Sequence, residues 1–258
     1  MKGPFFYILI IVTIFIGDMV LGQQKGISKL DISIIGGLSL PIGSYGENDP
    51  SKSAIYANAS QVKGFAKEMC GFAKTGYNYN LEIGYKVFPH FKILLITGSY
   101  LNPVETKNMS DFMTVIFHGE IRVEEESYKY FYFNPGIGYY QSLNRFEFGL
   151  NLFMGYSLTS FPYYKFVFAS STTNPPDMFA HDGPRPNLKA LSIGTSISAT
   201  YSLSNRFKIG IDANYQRADF KYTMSPRLIP GGGGADLTFS DILKCRVINL
   251  GLKFGYVF

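Results

Sequence analysis

From Val247 to Phe258 the chain alternates between apolar residues and small or polar residues, as in Leu250-Gly251-Leu252-Lys253-Phe254. Because successive side chains of a strand point to opposite faces, a period of two predicts a β-strand with one apolar and one polar face. The pattern recurs, less cleanly in the first, third and fourth cases, over residues 30–41, 77–86, 91–100, 130–141, 146–157, 191–203 and 207–216. We therefore expect eight strands.

The connections between these segments alternate strictly between short and long. Tight turns are expected at 88–90, 142–145 and 204–205, whereas the long connections cover about 42–76, 101–128, 161–188 and 222–244. Outer-membrane barrels have short periplasmic turns at one rim and long extracellular loops at the other. An even number of strands also places both termini of the chain in the periplasm.

The two faces differ in a way that decides which one points outward. One face is rich in Leu, Ile and Phe, with Tyr near strand ends, and the other consists of Gly, Ser, Asn and charged residues. This polar set is too hydrophilic for the dry core of a water-soluble barrel, and the apolar set is too hydrophobic for a wet surface. The predicted fold class is all-β, an eight-stranded antiparallel up-and-down transmembrane β-barrel. The chain has no Trp, and we expect Tyr to take the interfacial positions.

The N-terminus has the features of a secretory signal peptide. Lys2 gives a positive start, residues 5–16 are almost wholly apolar, and Val20 and Gly22 fit a cleavage site after residue 22. The sequence predicts a signal peptide at 1–22 and a barrel domain at 23–258, located in a bacterial outer membrane. An uncleaved N-terminal anchor is the alternative.

The net charge of +5 does not indicate nucleic-acid binding. The basic residues are scattered, with no basic stripe or recognition helix, and an exported chain rarely meets nucleic acid. Dispersed, solvated charge explains the balance. No pattern in the chain predicts a cofactor or a metal site.

Four segments resemble a known family, the porin-like and OmpA-like outer-membrane β-barrel proteins of Bacteroidetes: Ser39–Gly46, Gly71–Asn78, Asn134–Tyr140 and Phe153–Tyr156. The aromatic C-terminus fits the same family, so the resemblance covers nearly the whole mature chain. It implies a single small barrel, and it carries no catalytic residues to this sequence. Glu124-Glu125-Glu126, in the second long connection, follows no pattern of that family.

Charged residues occur on the polar face of the predicted strands. They are Asp31, Glu82, Lys86, Glu147, Lys208, Asp212 and Lys253, with Lys92 as a further candidate. The lumen of an eight-stranded barrel has room for side chains and little else, and an unpaired buried ion costs several kcal/mol. These residues are expected to form a salt-bridged plug centred on Lys253. A narrow channel for small solutes is the alternative.

Two cysteines and the last strand suggest further features. Cys70 lies in the first long connection and Cys245 at the start of the last strand, so an exported chain could join them in a disulfide. Tyr256 and Phe258 resemble the C-terminal aromatic signal that the barrel-assembly machinery recognises in its substrates.

The histidines do not predict an enzyme. His90 is in a tight turn, His118 shares a loop with Ser110 and Asp111, and His181 shares another with Asp177 and Asp182. Ser and Asp are ordinary loop residues, and no catalytic motif supports these sets. Residues 113–123 alternate and are expected to extend strands beyond the membrane.

The sequence thus predicts a non-enzymatic barrel, with its lumen plugged by paired charges and with a structural or surface-interaction role. Its expected partners are outer-membrane lipid, the assembly machinery and an extracellular ligand bound by the loops; it is expected to be a monomer. The alternatives are a narrow porin-like channel and, third, a lipid-acting enzyme.

Overall fold

The computed structural model describes residues 30–58, 61–160, 164–168, 187–224 and 239–258. Its elements, in chain order, are β1 (Leu30–Pro41), β2 (Ala54–Asn58), β3 (Gln61–Phe65), β4 (Gly76–Phe88), β5 (Phe91–Asn102), α1 (Thr106–Phe117), β6 (Ile121–Glu125), β7 (Tyr128–Leu143), β8 (Phe146–Ser160), β9 (Tyr164–Phe168), β10 (Asn187–Ser202), β11 (Phe207–Met224) and β12 (Phe239–Val257). Two single-turn 3-10 helices, Gly43–Tyr45 and Pro50–Lys52, follow β1.

Eight of these strands close into one antiparallel barrel in the order β1-β12-β11-β10-β8-β7-β5-β4. The last strand closes the barrel by pairing with the first, from Asp31 opposite Val257 to Pro41 opposite Val247. Apart from the closing pair of β1 and β12, each barrel strand pairs with the barrel strands that precede and follow it in the chain. The predicted fold class and strand count are confirmed.

The tight connections all lie at one end of the barrel, here called the turn rim. Two residues, Pro89 and His90, join β4 to β5, and Asn144 and Arg145 join β7 to β8. Asn144 has a φ of 55°, a left-handed conformation that Asn adopts more readily than most residues. The longer connections start and end at the opposite end, here called the loop rim.

Several strands are longer than the alternation predicted, and the largest extensions lie at the loop rim. β11 continues from the predicted end at 216 to Met224, and β12 begins at Phe239 instead of at 247. These two strands stay paired over the whole extension, to Met224 opposite Phe239. The barrel wall therefore rises well beyond the segments recognised from sequence.

The connections at the loop rim are themselves folded. β2 and β3 form a hairpin, and β6 pairs with β9 from a different connection. The predicted strand over 113–123 is wrong in its first half, which belongs to α1. The Glu105 carboxylate accepts from the Lys107 backbone N–H at the helix N-terminus, and Met109 and Met113, four residues apart, are both buried. Among the described residues, no helix has the length and hydropathy needed to cross a bilayer.

Candidate functional site

Apolar side chains cover the outward face of the part of the barrel nearer the turn rim, and we call this surface the apolar belt. Phe148, Leu250 and Phe254 point away from the lumen and are about half exposed, at 48%, 43% and 54%. Tyr77, Tyr79 and Tyr156 lie towards the loop rim of this belt and Phe91, Phe146 and Phe207 towards the turn rim, all exposed on the outside. At this height the apolar residues cover the outside of the barrel, whereas the interior is mainly polar, with a few buried apolar side chains such as Leu94, Ile96 and Phe153.

An ionic layer fills the lumen near the turn rim. The Lys92 ammonium group binds the Asp31 carboxylate and lies 3.3 Å from Glu147 Oε1. Lys208 Nζ approaches the same Glu147 oxygen at 2.9 Å. Lys92, on β5, therefore links carboxylates from β1 and β8, and Glu147 bridges two ammonium groups.

A second pair lies next to the first. Lys253 Nζ is 2.7 Å from Glu82 Oε1, and both side chains are almost fully buried. The Tyr140 hydroxyl donates to the same Glu82 oxygen at 3.3 Å, and Lys92 Nζ lies 3.8 Å from the centre of the Tyr140 ring. The aromatic ring thus connects the two ion-paired groups.

Two glycines make room for the Tyr140 ring inside the barrel. Gly149 lies directly opposite Tyr140 on β8, and Gly138 precedes it by two residues on β7. A Cβ at either glycine would lie 2.6 Å from a ring carbon of Tyr140. Any side chain there would push the ring away from Glu82 and Lys92.

The structure brings together five of the seven predicted lumen charges: Asp31, Glu82, Glu147, Lys208 and Lys253. Asp212 is buried, but it makes no ion pair with any described residue, and its Oδ2 has no hydrogen-bond partner among them. Lys86 is half-buried near the turn rim and also forms no ion pair within the described ranges.

Lys92 links more members of the layer than Lys253, which the sequence had placed at its centre. Lys92 lies directly opposite Gly138 on β7. Because that glycine has no side chain, the long lysine side chain can extend into the lumen between carboxylates from two strands. The residue type alone did not reveal this neighbour, since it depends on the register.

The ionic layer leaves little free space. The cavity that its residues enclose with Ser33, Ser198 and Thr200 has a volume of about 10 Å³. A buried water needs roughly 10–15 Å³. The layer therefore has room for about one water molecule, which is not an open path for solutes.

A row of amides and hydroxyls crosses the lumen above the ionic layer. Asn151, Ser196, Asn214 and Asn249 lie on four adjacent strands in consecutive register pairs. Asn151 Nδ2 donates to Ser196 Oγ at 3.0 Å, and Asn249 Nδ2 donates to Asn214 Oδ1 at 3.0 Å. All four are buried, so this height of the lumen is polar and filled as well.

Near the loop rim the interior becomes aromatic. Tyr45, from the first 3-10 helix, packs against Tyr128 and Tyr130 with ring centroids 5.4 and 6.0 Å apart. Tyr100 stacks on Tyr130 at 4.6 Å, and Phe220 contacts Tyr130 at 5.5 Å. We call these five residues the aromatic cluster; each is at most 1% exposed.

Polar contacts fix the first connection over this cluster. Lys67 Nζ lies 2.8 Å from Glu125 Oε1, with the two side chains 2% and 0% exposed. The Lys67 backbone N–H donates to Asp241 Oδ2 at 2.6 Å, and the Tyr222 hydroxyl donates to the same oxygen at 2.6 Å. Burial raises the pKa of Glu125, and the Lys67 ammonium group opposes that shift. The described parts of the loop-rim connections, which include β2, β3, α1, β6 and β9, lie over this end of the barrel, and we call them the cap.

The two cysteines do not form the disulfide considered from sequence. Cys70 and Cys245 are both buried free thiols. Cys70 Sγ contacts the Asp49 carbonyl oxygen at 3.1 Å, whereas Cys245 Sγ lies 2.8 Å from the Tyr100 hydroxyl. Each thiol has a separate partner inside the cap or the barrel wall. Tyr256 and Phe258, the predicted assembly signal, have rings 4.7 Å apart at the turn rim.

The residues considered for catalysis have structural partners. Ser110 donates to the Thr106 carbonyl and accepts from the Val123 backbone N–H. Asp111 pairs with Lys107 at 2.6 Å, and His118 ends α1 with a φ of 54°. His181, Asp177 and Asp182 lie outside the described residues, as does the predicted signal peptide.

Sequence reasoning missed the aromatic cluster, although one signal for it was present. Tyr128 and Tyr130 have the parity of the lumen-facing Asn134, opposite to that of the outward-facing Phe131. The strand assignment began at 130 and gave no reason to expect an apolar interior at its outer end.

No family model and no curated protein matches this chain. Similar solved structures include OprG from Pseudomonas aeruginosa, with 15% identity, a TM-score of 0.49 and coverage of 90% of this chain and 99% of that chain. Neisserial surface protein A has 9% identity, a TM-score of 0.44 and coverage of 91% and 100%. The outer membrane protease OmpT from Escherichia coli has 11% identity, a TM-score of 0.40 and coverage of 91% and 99%. Likenesses this low transfer no activity to this chain.

Proposed function

We propose that this protein is a non-conducting barrel of a bacterial outer membrane that holds a folded cap at the cell surface. In this role the barrel anchors the protein in the membrane, and the cap takes part in interactions at the cell surface. No catalytic step is assigned to it. The signal peptide at 1–22, the barrel domain at 23–258 and recognition of Tyr256 and Phe258 by the assembly machinery remain part of the proposal.

The membrane location is supported by the apolar belt. On β11 the outward apolar residues run from Phe207 to Tyr215, close to the roughly 9–11 residues that a tilted transmembrane strand needs. Exposed Leu, Ile and Phe around a closed barrel are costly in water but favourable against acyl chains. With the turn rim in the periplasm, the cap would project outward.

The non-conducting state is supported by closure near each rim of the barrel, with the buried amide row between the two closures. The ionic layer has a cavity of about 10 Å³, and the aromatic cluster with the Lys67–Glu125 pair fills the interior near the loop rim. The ionic layer is the observation that carries this proposal, because its residues come from strands of a rigid closed wall. A solute would have to separate paired, buried charges to pass.

Planar-bilayer recording of the purified full chain tests the proposal. We expect no discrete conductance from the wild type. A lumen variant, Lys92→Ala with Tyr140→Ala and Glu147→Ala, and a cap variant, Tyr45→Ala with Tyr130→Ala, should each stay silent, because another closure remains. The combined variant, with Asn151→Ala, Asn214→Ala and Asn249→Ala added to remove the amide row, should open.

Two controls accompany these recordings. Heat-dependent gel mobility shows that each variant is a folded barrel, and Val115→Ala, at an exposed position of α1, serves as a matched silent substitution. Large, stable conductance from the wild type would overturn the plug and favour the narrow channel.

A further inference from the structure

Basic side chains lie along one side of the outer barrel surface, just on the loop-rim side of the apolar belt. We call this group the basic collar, and its members are Lys129, Lys189, Arg217, Lys221, Lys244 and Arg246. All six alternate with buried residues along β7, β10, β11 and β12, so they lie on the outer face of the wall. Three of them, Lys129, Lys189 and Lys221, make no ion pair with any residue that the structure describes.

On β11 and β12 the collar begins at the first outward-facing position after the last apolar pair of the belt. Tyr215 pairs with Ile248 as the last apolar pair of β11 and β12 on the outer face. Arg217 pairs with Arg246 in the next outward-facing position. If the belt contacts acyl chains, this second pair lies at the height of the lipid headgroups.

The Arg217–Arg246 pair is unfavourable by itself. Like charges directly opposite each other on a sheet destabilise the pairing. Both guanidinium groups approach one carboxylate, that of Asp219, at 2.6 Å from Arg217 and 3.6 Å from Arg246. Lys244 is paired with Glu68 at 2.7 Å. The described acidic groups therefore compensate only part of the collar's charge.

We propose that the basic collar binds the phosphate groups of a phosphorylated outer-leaflet lipid, with the acyl chains of that lipid against the belt. Arginine offers planar pairs of N–H donors that match phosphate oxygens, and the collar lysines add positive charge around them. This inference rests on the proposed membrane location, and it names a lipid partner for the surface that the cap leaves uncovered.

The test uses the full chain purified in detergent, with lipid A as the probe and the same lipid without its phosphates as the comparison. Retention of each lipid is measured by native mass spectrometry. We expect the wild type to retain lipid A and not the phosphate-free form. Inorganic phosphate added alone should not displace it, because the belt contributes to binding through the acyl chains.

Arg217→Gln with Arg246→Gln removes two collar charges and leaves a polar side chain at each position. Retention of lipid A should fall by about 30-fold, from roughly fivefold for each cation near an anionic surface. The matched control, Lys107→Gln with Arg122→Gln, removes the same charge from the cap and should retain lipid A.

Equal loss in both variants, or equal binding of the phosphate-free lipid, would overturn the collar site. Bilayer conductance and heat-dependent mobility of the same samples are measured in parallel. If the barrel is folded and silent but lipid retention shows no dependence on phosphate or on the collar, only this inference fails. If the wild type conducts, the proposed function fails independently.

Discussion

The two halves of β11 have opposite polarity. From Phe207 to Tyr215 its outward side chains are apolar, and the inward ones include Lys208, Asp212 and Asn214. Beyond Gln216 the outward residues include Arg217 and Lys221, whereas Ala218, Phe220 and Tyr222 are buried inside. The strand itself is unbroken, and its pairing with β12 continues in register.

The proposed membrane location explains this difference, because the medium around a strand decides which of its faces is apolar. Against lipid, the polar face must turn inward and fill the narrow lumen with paired charges and amides. Beyond the lipid, the wall behaves as in a water-soluble protein, with charges outside and an apolar core under the cap. The switch between Tyr215 and Arg217 marks the expected height of the membrane boundary.

The largest effect is expected from Phe220→Ala, which removes an aromatic side chain from the apolar interior near the loop rim. The variant should lose about 3–5 kcal/mol of unfolding free energy, because the space can relax only partly. Urea titration of the heat-sensitive folded band measures this. The neighbouring Lys221→Ala points outward and should change stability little; equal losses in the two variants would contradict an apolar interior at this height.

A charge placed on the belt should have the next largest effect. Leu252→Arg puts a cation on an outward position that is 56% exposed, and near the bilayer midplane it should cost about 2–4 kcal/mol. Folding into vesicles, followed by urea titration, measures the loss. Val115→Arg, on the exposed face of α1, should be close to neutral. A neutral Leu252→Arg would show that this face does not meet lipid.

A smaller effect is expected at the Tyr140 hydroxyl in the ionic layer. Tyr140→Phe removes the donor to Glu82 while the ring over Lys92 stays, and a hydrogen bond to a charged group contributes about 1.5–3 kcal/mol. We expect a loss near the lower limit, since Lys253 still binds Glu82. Tyr139→Phe, on the outward face, is the control. No loss in Tyr140→Phe would mean that the layer does not depend on this contact.

The smallest effect concerns the cysteines, where no change is predicted. Burial raises the pKa of the Cys70 thiol, so at neutral pH it stays protonated and unreactive. Maleimide should label neither Cys70 nor Cys245 in the folded protein and should label both after unfolding. Reductant should leave gel mobility unchanged. A reductant-dependent shift would show the disulfide that the structure lacks.

The barrel itself could be predicted from sequence because each strand carries its own evidence in the period of two. The lumen contents were only partly predictable. The alternation along each strand assigns Glu82, Glu147 and Lys253 to the interior. Which charges form ion pairs depends on the register between strands and on small neighbours such as Gly138, and the sequence of a single strand does not reveal either. The parity of Tyr128 and Tyr130 indicates only part of the closure at the loop rim, because Tyr45 and Lys67 reach it from segments outside the barrel strands.

The reversal along β11 also explains why the sequence pattern predicts too short a strand. The apolar residues at the odd positions end at Tyr215, and Arg217 breaks the pattern. The alternation in fact continues with its phase inverted, through Ala218, Phe220 and Tyr222. On the proposed membrane location, we expect a change of phase without a turn residue to mark the height at which a barrel strand leaves the membrane.

The most direct test of the account measures the surroundings of single outward positions on β11. Cysteine is substituted in turn for Ile209, Ile211, Arg217 and Lys221 in a Cys70→Ser/Cys245→Ala background, labelled with a nitroxide and reconstituted in vesicles. The account predicts that oxygen, which concentrates in lipid, relaxes the labels at 209 and 211, whereas a water-soluble nickel chelate relaxes those at 217 and 221. Labels at 209 and 211 that respond to the nickel chelate, or four labels in one common environment, would contradict it.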